Sequence, residues 1–273
     1  MKIKILYLLI TIFLIAGCAA HSNLKQQFIN FNDIPNAYEL VLASADTSLP
    51  DYEKLTYEIK WLGMPVGTLT ASIKGTEKIN GRDTYILEAL FKTNSFCSSI
   101  YSVEDRYVSY MDKEKLYTLR HEVYRREGRY KKDAITDFDQ VSGKAHFRNL
   151  LDKTEKVFDI PEKVQDFLSA YYFCRLIPLK KVGDKVRCNI SNNERNYQVI
   201  IFVKSESHIK MGSKGKKKAL LVQPYALLGG EKIKEGSAQG YYSCEGNRLF
   251  LGAIITAPVF TKVTAFLSNI ESS

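Results

Sequence analysis

The sequence has few of the residue patterns that accompany catalysis or metal binding. It contains four histidines, His21, His121, His146 and His208, and none of them forms a His-x-His or His-Glu-x-x-His pair. It contains neither a Gly-x-Ser-x-Gly elbow nor a Gly-x-x-x-x-Gly-Lys-[Ser/Thr] phosphate loop. These absences weigh against enzymatic function, and we expect neither a metal nor a cofactor.

Two charged groups in predicted strands remain as candidates for a polar site. One is His121, and the other is the run Glu104-Asp105-Arg106. For both groups we expect a solvated outer face of a sheet, because an antiparallel sheet commonly leaves one face in water. Binding of a polar ligand by the acidic run is the alternative.

Paired cysteine motifs are also missing. None of the five cysteines forms a Cys-x-x-Cys pair, which argues against a redox motif and a zinc knuckle. If Cys18 is set aside, the other four allow three disulfide connectivities, and the sequence does not choose among them. Buried free thiols are an equal alternative, because cysteine packs well as a small apolar residue. These four cysteines are Cys97, Cys174, Cys188 and Cys244.

The apolar run near the start of the chain, residues 5–15, is too short for a membrane-spanning helix, which needs about 20 residues. Lys2 and Lys4 precede it, and Ile15-Ala16-Gly17-Cys18 ends it. A basic end, a short apolar stretch and small residues in this order are typical of a secretory signal. The last four residues resemble the lipobox of bacterial lipoproteins, which implies cleavage before Cys18 and a lipid on its sulfur. The alternative is an ordinary signal peptide that contains a cysteine.

The lipobox resemblance also implies a location. Bacterial lipoproteins of this kind carry three acyl chains, such as palmitate, and two or more chains anchor a protein firmly. Ala19, rather than Asp, follows the cysteine, and in enterobacteria-like sorting this implies the outer membrane. We therefore expect a lipid-anchored cell-envelope protein, in the outer membrane and facing the periplasm. Its predicted parts are a signal peptide (1–17), a lipid anchor and tether (18–50) and a single β-rich domain (51–273).

The chain is basic, with a formal charge of +9. For an exported protein, this charge favours contact with anionic lipid head groups or acidic glycans over nucleic acid, although an effect on solubility alone is equally consistent with it. The densest basic stretch predicts a hairpin loop that contacts anionic lipid or lipopolysaccharide, with a solvated loop as the alternative. Its cations are Lys210, Lys214, Lys216, Lys217 and Lys218.

Apolar residues alternate with polar ones from Leu55 onward, which predicts half-buried strands. Turns are predicted at 63–67 and at Asn80-Gly81. One helix, capped by Asp166 and stopped by Pro178, is predicted to cover the sheet. The pattern favours a mainly β protein, an antiparallel curved sheet or barrel-like meander. Further strands are predicted near 69–73, 85–91, 100–111, 116–125, 129–138, 144–149, 185–190, 196–205, 217–225, 238–243, 249–256 and 260–267.

Several stretches together resemble a family of bacterial exported proteins, the domain of unknown function number 3108. They are Leu55-Thr-Tyr-Glu-Ile-Lys-Trp-Leu-Gly63, Val66-Gly67, Val103-Glu-Asp-Arg-Tyr-Val-Ser-Tyr-Met-Asp112, Asp166-Phe-Leu-Ser-Ala-Tyr-Tyr172 and 179–183. The resemblance covers roughly residues 51–270 and implies a β-rich exported domain with no assigned reaction. The acidic and aromatic turn usual in the family before its last strand is replaced here by Cys244-Glu-Gly-Asn247.

The aromatic content suggests a ligand class. The chain has 17 Tyr, 14 Phe and one Trp, more aromatic surface than a core of this size requires. Because ligand pockets are concave and mostly apolar, we expect a binding or scaffolding module whose candidate ligand is an acyl chain, a glycolipid or another amphiphile. The alternatives are a partner-binding component of an envelope assembly and, third, an envelope hydrolase.

Overall fold

The computed structural model describes residues 31–44, 48–211, 215–233, 237–244, 248–257 and 261–272. Fifteen strands form one sheet. The strands are β1 Glu53–Trp61, β2 Met64–Ile79, β3 Arg82–Thr93, β4 Glu104–Asp112, β5 Thr118–Glu127, β6 Tyr130–Asp139, β7 Lys144–Asn149, β8 Glu155–Asp159, β9 Lys185–Asn192, β10 Arg195–Lys210, β11 Lys216–Leu228, β12 Glu231–Lys232, β13 Ser237–Ser243, β14 Phe250–Ala257 and β15 Thr261–Ser272.

The strands pair antiparallel in the order β8-β7-β6-β5-β4-β3-β2-β1-β15-β14-β13-β11-β10-β9, with β12 beside β11. Antiparallel neighbours are the expected result of short turns between consecutive strands. The one long-range pairing, β1 with β15, joins the two ends of the domain, for example through Leu55 opposite Ile270. The predicted antiparallel, mainly β fold is confirmed, and the sheet is curved without closing into a barrel.

In the described ranges, three short α-helices accompany the sheet: α1 Ala37–Leu42, α2 Ser95–Ile100 and α3 Phe167–Leu176. A 3-10 helix, Phe31–Asp33, precedes α1. The predicted helix is α3, and all ten of its residues are buried. Its side chains contact β-strands on several sides, because Tyr171 packs on Phe250 of β14 and bonds to Tyr57 of β1. The helix therefore lies inside the curve of the sheet, and it provides the central part of the core.

The two edges of the sheet, β8 and β9, approach each other without pairing along these described strands. Asn196, which follows the β9–β10 turn, donates its side-chain amide to the Asp159 carbonyl at the end of β8, at 2.6 Å. The backbone of β9 is covered by other segments: Arg187 N–H donates to the Pro35 carbonyl at 2.9 Å, and Ser191 N–H to the Gln165 carbonyl at 2.7 Å. An edge that is covered in this way is protected from pairing with another chain.

Four local predictions were wrong. The first turn is the tight pair Leu62-Gly63, and Met64–Gly67 already belongs to β2. The strand expected from residue 100 begins at Glu104, because Asn94 caps a helix there with its side-chain carbonyl 2.9 Å from the Cys97 N–H. The helix α2 and the strand β8 were not predicted, whereas α1 lies in the tether, where the apolar residues around Leu40 favour a docked segment or a short helix. The short elements α2 and β8 are mostly exposed, so they leave no apolar period in the sequence.

Candidate functional site

The central helix begins at a buried polar cluster. The carboxylate of Asp166 accepts the N–H groups of Leu168 and Ser169 at 2.7 and 3.1 Å, as an N-cap does. Its other oxygen accepts the hydroxyl groups of Ser109 and Thr118. Because each oxygen of the carboxylate is hydrogen-bonded, its charge is tolerated in the core, and the start of α3 is fixed to β4 and β5.

The helix ends at a buried ion pair. The guanidinium of Arg175 donates two hydrogen bonds to the carboxylate of Glu53 at the start of β1, the second at 2.9 Å. Both side chains are almost fully buried. Burial disfavours the charged guanidinium, but the hydrogen bonds that it donates to the Glu53 carboxylate outweigh this and raise the pKa of Arg175. This pair fixes the last turn of α3 at the point where the N-terminal segment enters the sheet.

A cavity of about 550 Å³ opens beside this ion pair. Its apolar wall comes from three parts of the chain: the segment before β1, the end of α3 with the loop after it, and β11. Its polar groups come from the N-terminal segment and the end of α3 with the loop after it, and also from the end of β13 and the residues before β14. The apolar lining residues are Leu49, Pro50, Leu176, Pro178, Leu179 and Leu220, and the polar ones are Ser44, Ser48, Arg175, Lys180, Ser243, Cys244 and Arg248.

Three of the lining residues are cations, and they differ in their surroundings. Arg175 is neutralised by Glu53, while Lys180 is exposed. Arg248 is half-buried, and its guanidinium makes no ion pair with any residue that the structure describes. Burial lowers the pKa of Arg248, although an arginine stays charged at neutral pH. The site therefore combines an apolar wall with a half-buried positive charge that an anion could neutralise.

Two thiols lie in the core near this region. Cys174 and Cys188 are buried and free, and Cys97 is free as well. Burial raises the pKa of Cys174 to about 12, and it raises that of Cys188 well above its usual value. Because the thiolate is the reactive form, these two thiols are inert at neutral pH. The sequence left open whether these cysteines form disulfides or stay as buried free thiols. In the structure, Cys174 and Cys188 are buried free thiols.

The two charged groups expected on an outer face lie inside. His121 is only 6 % exposed, and its ring packs edge-on against Phe167. Burial lowers its pKa, so the ring is neutral at pH 7. Asp105 is fully buried, while its neighbours Glu104 and Arg106 point outward. The strand alternation explains the error, because every second residue of β4 faces the core whatever its charge.

Asp105 belongs to a second buried charge cluster. Arg125 lies between it and Glu127, with its guanidinium 3.5 Å from the Asp105 carboxylate and hydrogen-bonded to Glu127. The Arg126 N–H donates to Asp105 at 2.8 Å. Burial raises the pKa of Asp105 to about 6, although the Arg126 bond acts in the opposite direction. The cluster is enclosed by its strands, so it has a structural role.

The remaining candidate residues do not converge on the cavity. Cys18 and Lys214 lie outside the described residues. Lys210 ends β10, and Lys216, Lys217 and Lys218 begin β11. Lys218 pairs with Glu206 at 2.8 Å, while Lys210 and Lys217 line a shallow groove of about 380 Å³ with Met211 and Phe266. Their contact with an anionic surface stays a prediction.

Within the described ranges, no group of three or more His, Cys, Asp and Glu side chains is arranged to hold a metal ion. In the same part of the chain, no helix is long and apolar enough to cross a membrane. His146 bonds to Glu155 at 3.0 Å on the surface, and His208 is exposed. Arg248 is the residue that sequence reasoning missed, because nothing in its sequence neighbourhood indicates a cavity.

A solved structure from another family shows the same fold. The chain is similar to a β-barrel-like protein of the domain of unknown function DUF1849 from Brucella abortus, with a TM-score of 0.53 and 7 % identity over 82 % of this chain and 98 % of that one. It is less similar to a protein from Bacteroides fragilis assigned as exported with a YmcC-like fold (TM-score 0.34, 9 % identity, 88 % and 98 % covered). A protein from Parabacteroides distasonis assigned as a lipoprotein has a TM-score of 0.36, at 9 % identity over 82 % and 97 %.

A search of the curated proteins finds no match to this sequence. The model of the family "Protein of unknown function (DUF3108)" matches residues 56–249. Five stretches of the sequence indicated this family, and the matched range contains four of them completely. Of the remaining one, Leu55–Gly63, it lacks only Leu55. Because the match covers more than half of the chain, the protein belongs to the DUF3108 family, as its sequence predicted.

Proposed function

We propose that this protein is a lipid-anchored envelope protein that binds an anionic amphiphile in the cavity at the end of α3. The observation that carries the proposal is the combination of apolar walls, from Leu49, Leu179 and Leu220, with the half-buried cation of Arg248. The acyl chain of such a ligand would pack on the apolar walls, and its carboxylate or phosphate head group would pair with the Arg248 guanidinium. The volume of about 550 Å³ lies in the range of small-molecule sites, roughly 300–1,000 Å³.

The position of the cavity also supports the proposal. Ser44, Ser48 and Leu49 of the N-terminal segment form part of its wall. The predicted anchor at Cys18 lies earlier in this same segment, so the chain that would hold the protein at a bilayer also borders the site. An amphiphile leaving that bilayer would meet the cavity at the point where the anchored segment enters the domain.

The first test is native mass spectrometry of the protein purified from its host envelope without added lipid. A co-purifying amphiphile of defined mass supports the proposal and gives its class. The second test is the uptake of a fluorescent fatty acid and of the matching fatty alcohol. A charge-assisted contact contributes about 1.5–3 kcal/mol, so Arg248→Gln is expected to weaken fatty-acid binding about ten-fold or more and to leave the alcohol unaffected.

Arg195→Gln is the matched control, because Arg195 is exposed and does not line the cavity. It is expected to bind both probes as the wild type does. A bare protein mass, together with no uptake of either probe by the wild type, would contradict the proposal. The function as a partner-binding scaffold would then be favoured, and crosslinking in the envelope would be the next measurement.

A further inference from the structure

Two neighbouring parts of one end of the sheet place large apolar side chains in solvent. Leu62 in the β1–β2 turn is 57 % exposed and Met64, the first residue of β2, is 60 % exposed; on α2, Phe96 is 73 % and Ile100 is 76 % exposed. Such a group of exposed apolar residues marks an interaction surface, because water disfavours it. We call this surface the apolar rim, and its members are Trp61, Leu62, Met64, Phe96, Ile100 and Tyr101.

Hydrogen bonds join these turns into one surface. Asn94, which caps α2, donates its side-chain amide to the Pro65 carbonyl at 2.8 Å and its backbone N–H to Val66 at 3.0 Å. On the other side, the hydroxyl of Tyr101 donates to the Glu127 carbonyl at 3.0 Å, at the end of β5. The apolar side chains are therefore held together by the backbone beneath them.

The sequence of α2 shows the same preference for an external partner. None of its six residues is buried, and Phe96 and Ile100, four residues apart, share one face. A helix that contributed only to the core would turn this face inward. The aromatic residues Trp61 and Tyr101 are of the type that concentrates at the boundary between membrane and water.

Basic residues border the rim. Arg129 and Lys131 lie in and just after the β5–β6 turn, next to Tyr101, and both are exposed. Neither makes an ion pair with another residue in the described part of the chain. The Leu62 N–H donates to the Lys262 carbonyl at 2.9 Å, so a third exposed basic residue, the second residue of β15, lies beside the rim. Apolar side chains surrounded by unneutralised cations are complementary to an anionic bilayer.

We propose that the apolar rim inserts into the interface of a bilayer that contains anionic phospholipid. Phe96, Ile100 and the β1–β2 turn enter the boundary between head groups and acyl chains, and Arg129 and Lys131 contact the head-group phosphates. This contact is separate from the cavity beside Arg248, so either one can fail without the other.

The single tryptophan of the protein, Trp61, is a direct probe of this contact. The full chain is reconstituted into vesicles of brominated phosphatidylglycerol and phosphatidylcholine, or of brominated phosphatidylcholine alone. We expect bromine to quench Trp61 emission in the anionic vesicles and much less in the neutral ones. The double variant Arg129→Gln/Lys131→Gln is expected to lower the insertion equilibrium about 25-fold, since each basic residue near an anionic surface contributes about five-fold.

The double variant Leu62→Ser/Phe96→Ser is expected to abolish the quenching while the protein stays folded, because both side chains are exposed. Val141→Ser is the matched control: Val141 is 92 % exposed and lies in the β6–β7 turn, outside the rim. It is expected to leave the quenching unchanged. Trp61 emission that is not quenched in either vesicle would overturn the proposal, and a concentration-dependent dimer mass with no quenching would assign the rim to a second copy of the chain.

Discussion

At the scale of single residues, strand alternation decides the environment of each charge. Glu104, Asp105 and Arg106 are adjacent in the sequence, yet Glu104 and Arg106 form surface ion pairs with Lys92 and Glu88 while Asp105 is fully buried. Burial raises the pKa of Asp105 from 3.8 to about 6. Three adjacent charged residues therefore give two solvated ion pairs and one buried carboxyl group that keeps its proton up to about pH 6.

This carboxyl group predicts the pH dependence of stability. Between pH 4 and pH 6 the folded protein keeps a proton on Asp105 that the unfolded chain has lost, so the free energy of unfolding falls as the pH rises through this window. Asp105→Asn cannot ionise and is expected to flatten the fall. Urea denaturation at pH 4.5, 6 and 7.5 measures the effect. Asp51→Asn, at an exposed position, is the control, and an equal slope in Asp105→Asn and wild type would contradict the prediction.

At the scale of elements, α3 connects the buried polar groups to the site. Its cap, Asp166, is bonded to β4 and β5, and its last turn is fixed by Glu53 of β1. The apolar residues between them fill the curve of the sheet. The cavity lies where the helix stops and the chain turns away at Pro178, so the position of the site depends on how α3 is held at both ends.

Removal of the cap is expected to be costly. Asp166→Ala deletes an N-cap contribution of about 1 kcal/mol and leaves the buried hydroxyl of Ser109 without its acceptor, at about 1–3 kcal/mol, while the Thr118 hydroxyl can still bond to Ser169. We therefore expect a loss of about 2–4 kcal/mol. Asn94→Ala, which removes the cap of the exposed helix α2, should cost only about 1 kcal/mol. Urea denaturation compares the two variants. A loss for Asp166→Ala no larger than for Asn94→Ala would refute the role of the buried cluster.

At the scale of the whole molecule, an open sheet of fifteen strands is stable because other segments cover one of its edges. The N-terminal segment packs α1 into the core through Ala37 and Val41, which are fully buried, and it hydrogen-bonds to β9 through Pro35. The segment before α3 covers β9 next to it, through Gln165. Part of the predicted tether thus belongs to the folded body.

This arrangement predicts selective local opening. Val41→Asp places a charge at a fully buried position and is expected to undock α1. Hydrogen exchange of the Arg187 amide, which donates to Pro35, should then accelerate about 100-fold or more, as local unfolding of a few kcal/mol implies. The Ser191 amide, which donates to Gln165, is the control within the same strand and should keep its protection. Equal acceleration at both amides would show that the two segments open together.

The sequence by itself determined the antiparallel β class, the family, most strands and the capped helix α3, because these depend on local alternation, turn residues and capping. The hairpin at Asn80-Gly81 is an example, since both residues have the positive φ that such a turn requires. Only the tertiary structure decided the rest. It decided that β1 pairs with β15 and that His121 and Asp105 are buried. It also brought Arg248 to the same cavity as Leu49 and Leu179. These features depend on residues far apart in the chain, because they follow from the curvature of the whole sheet around α3.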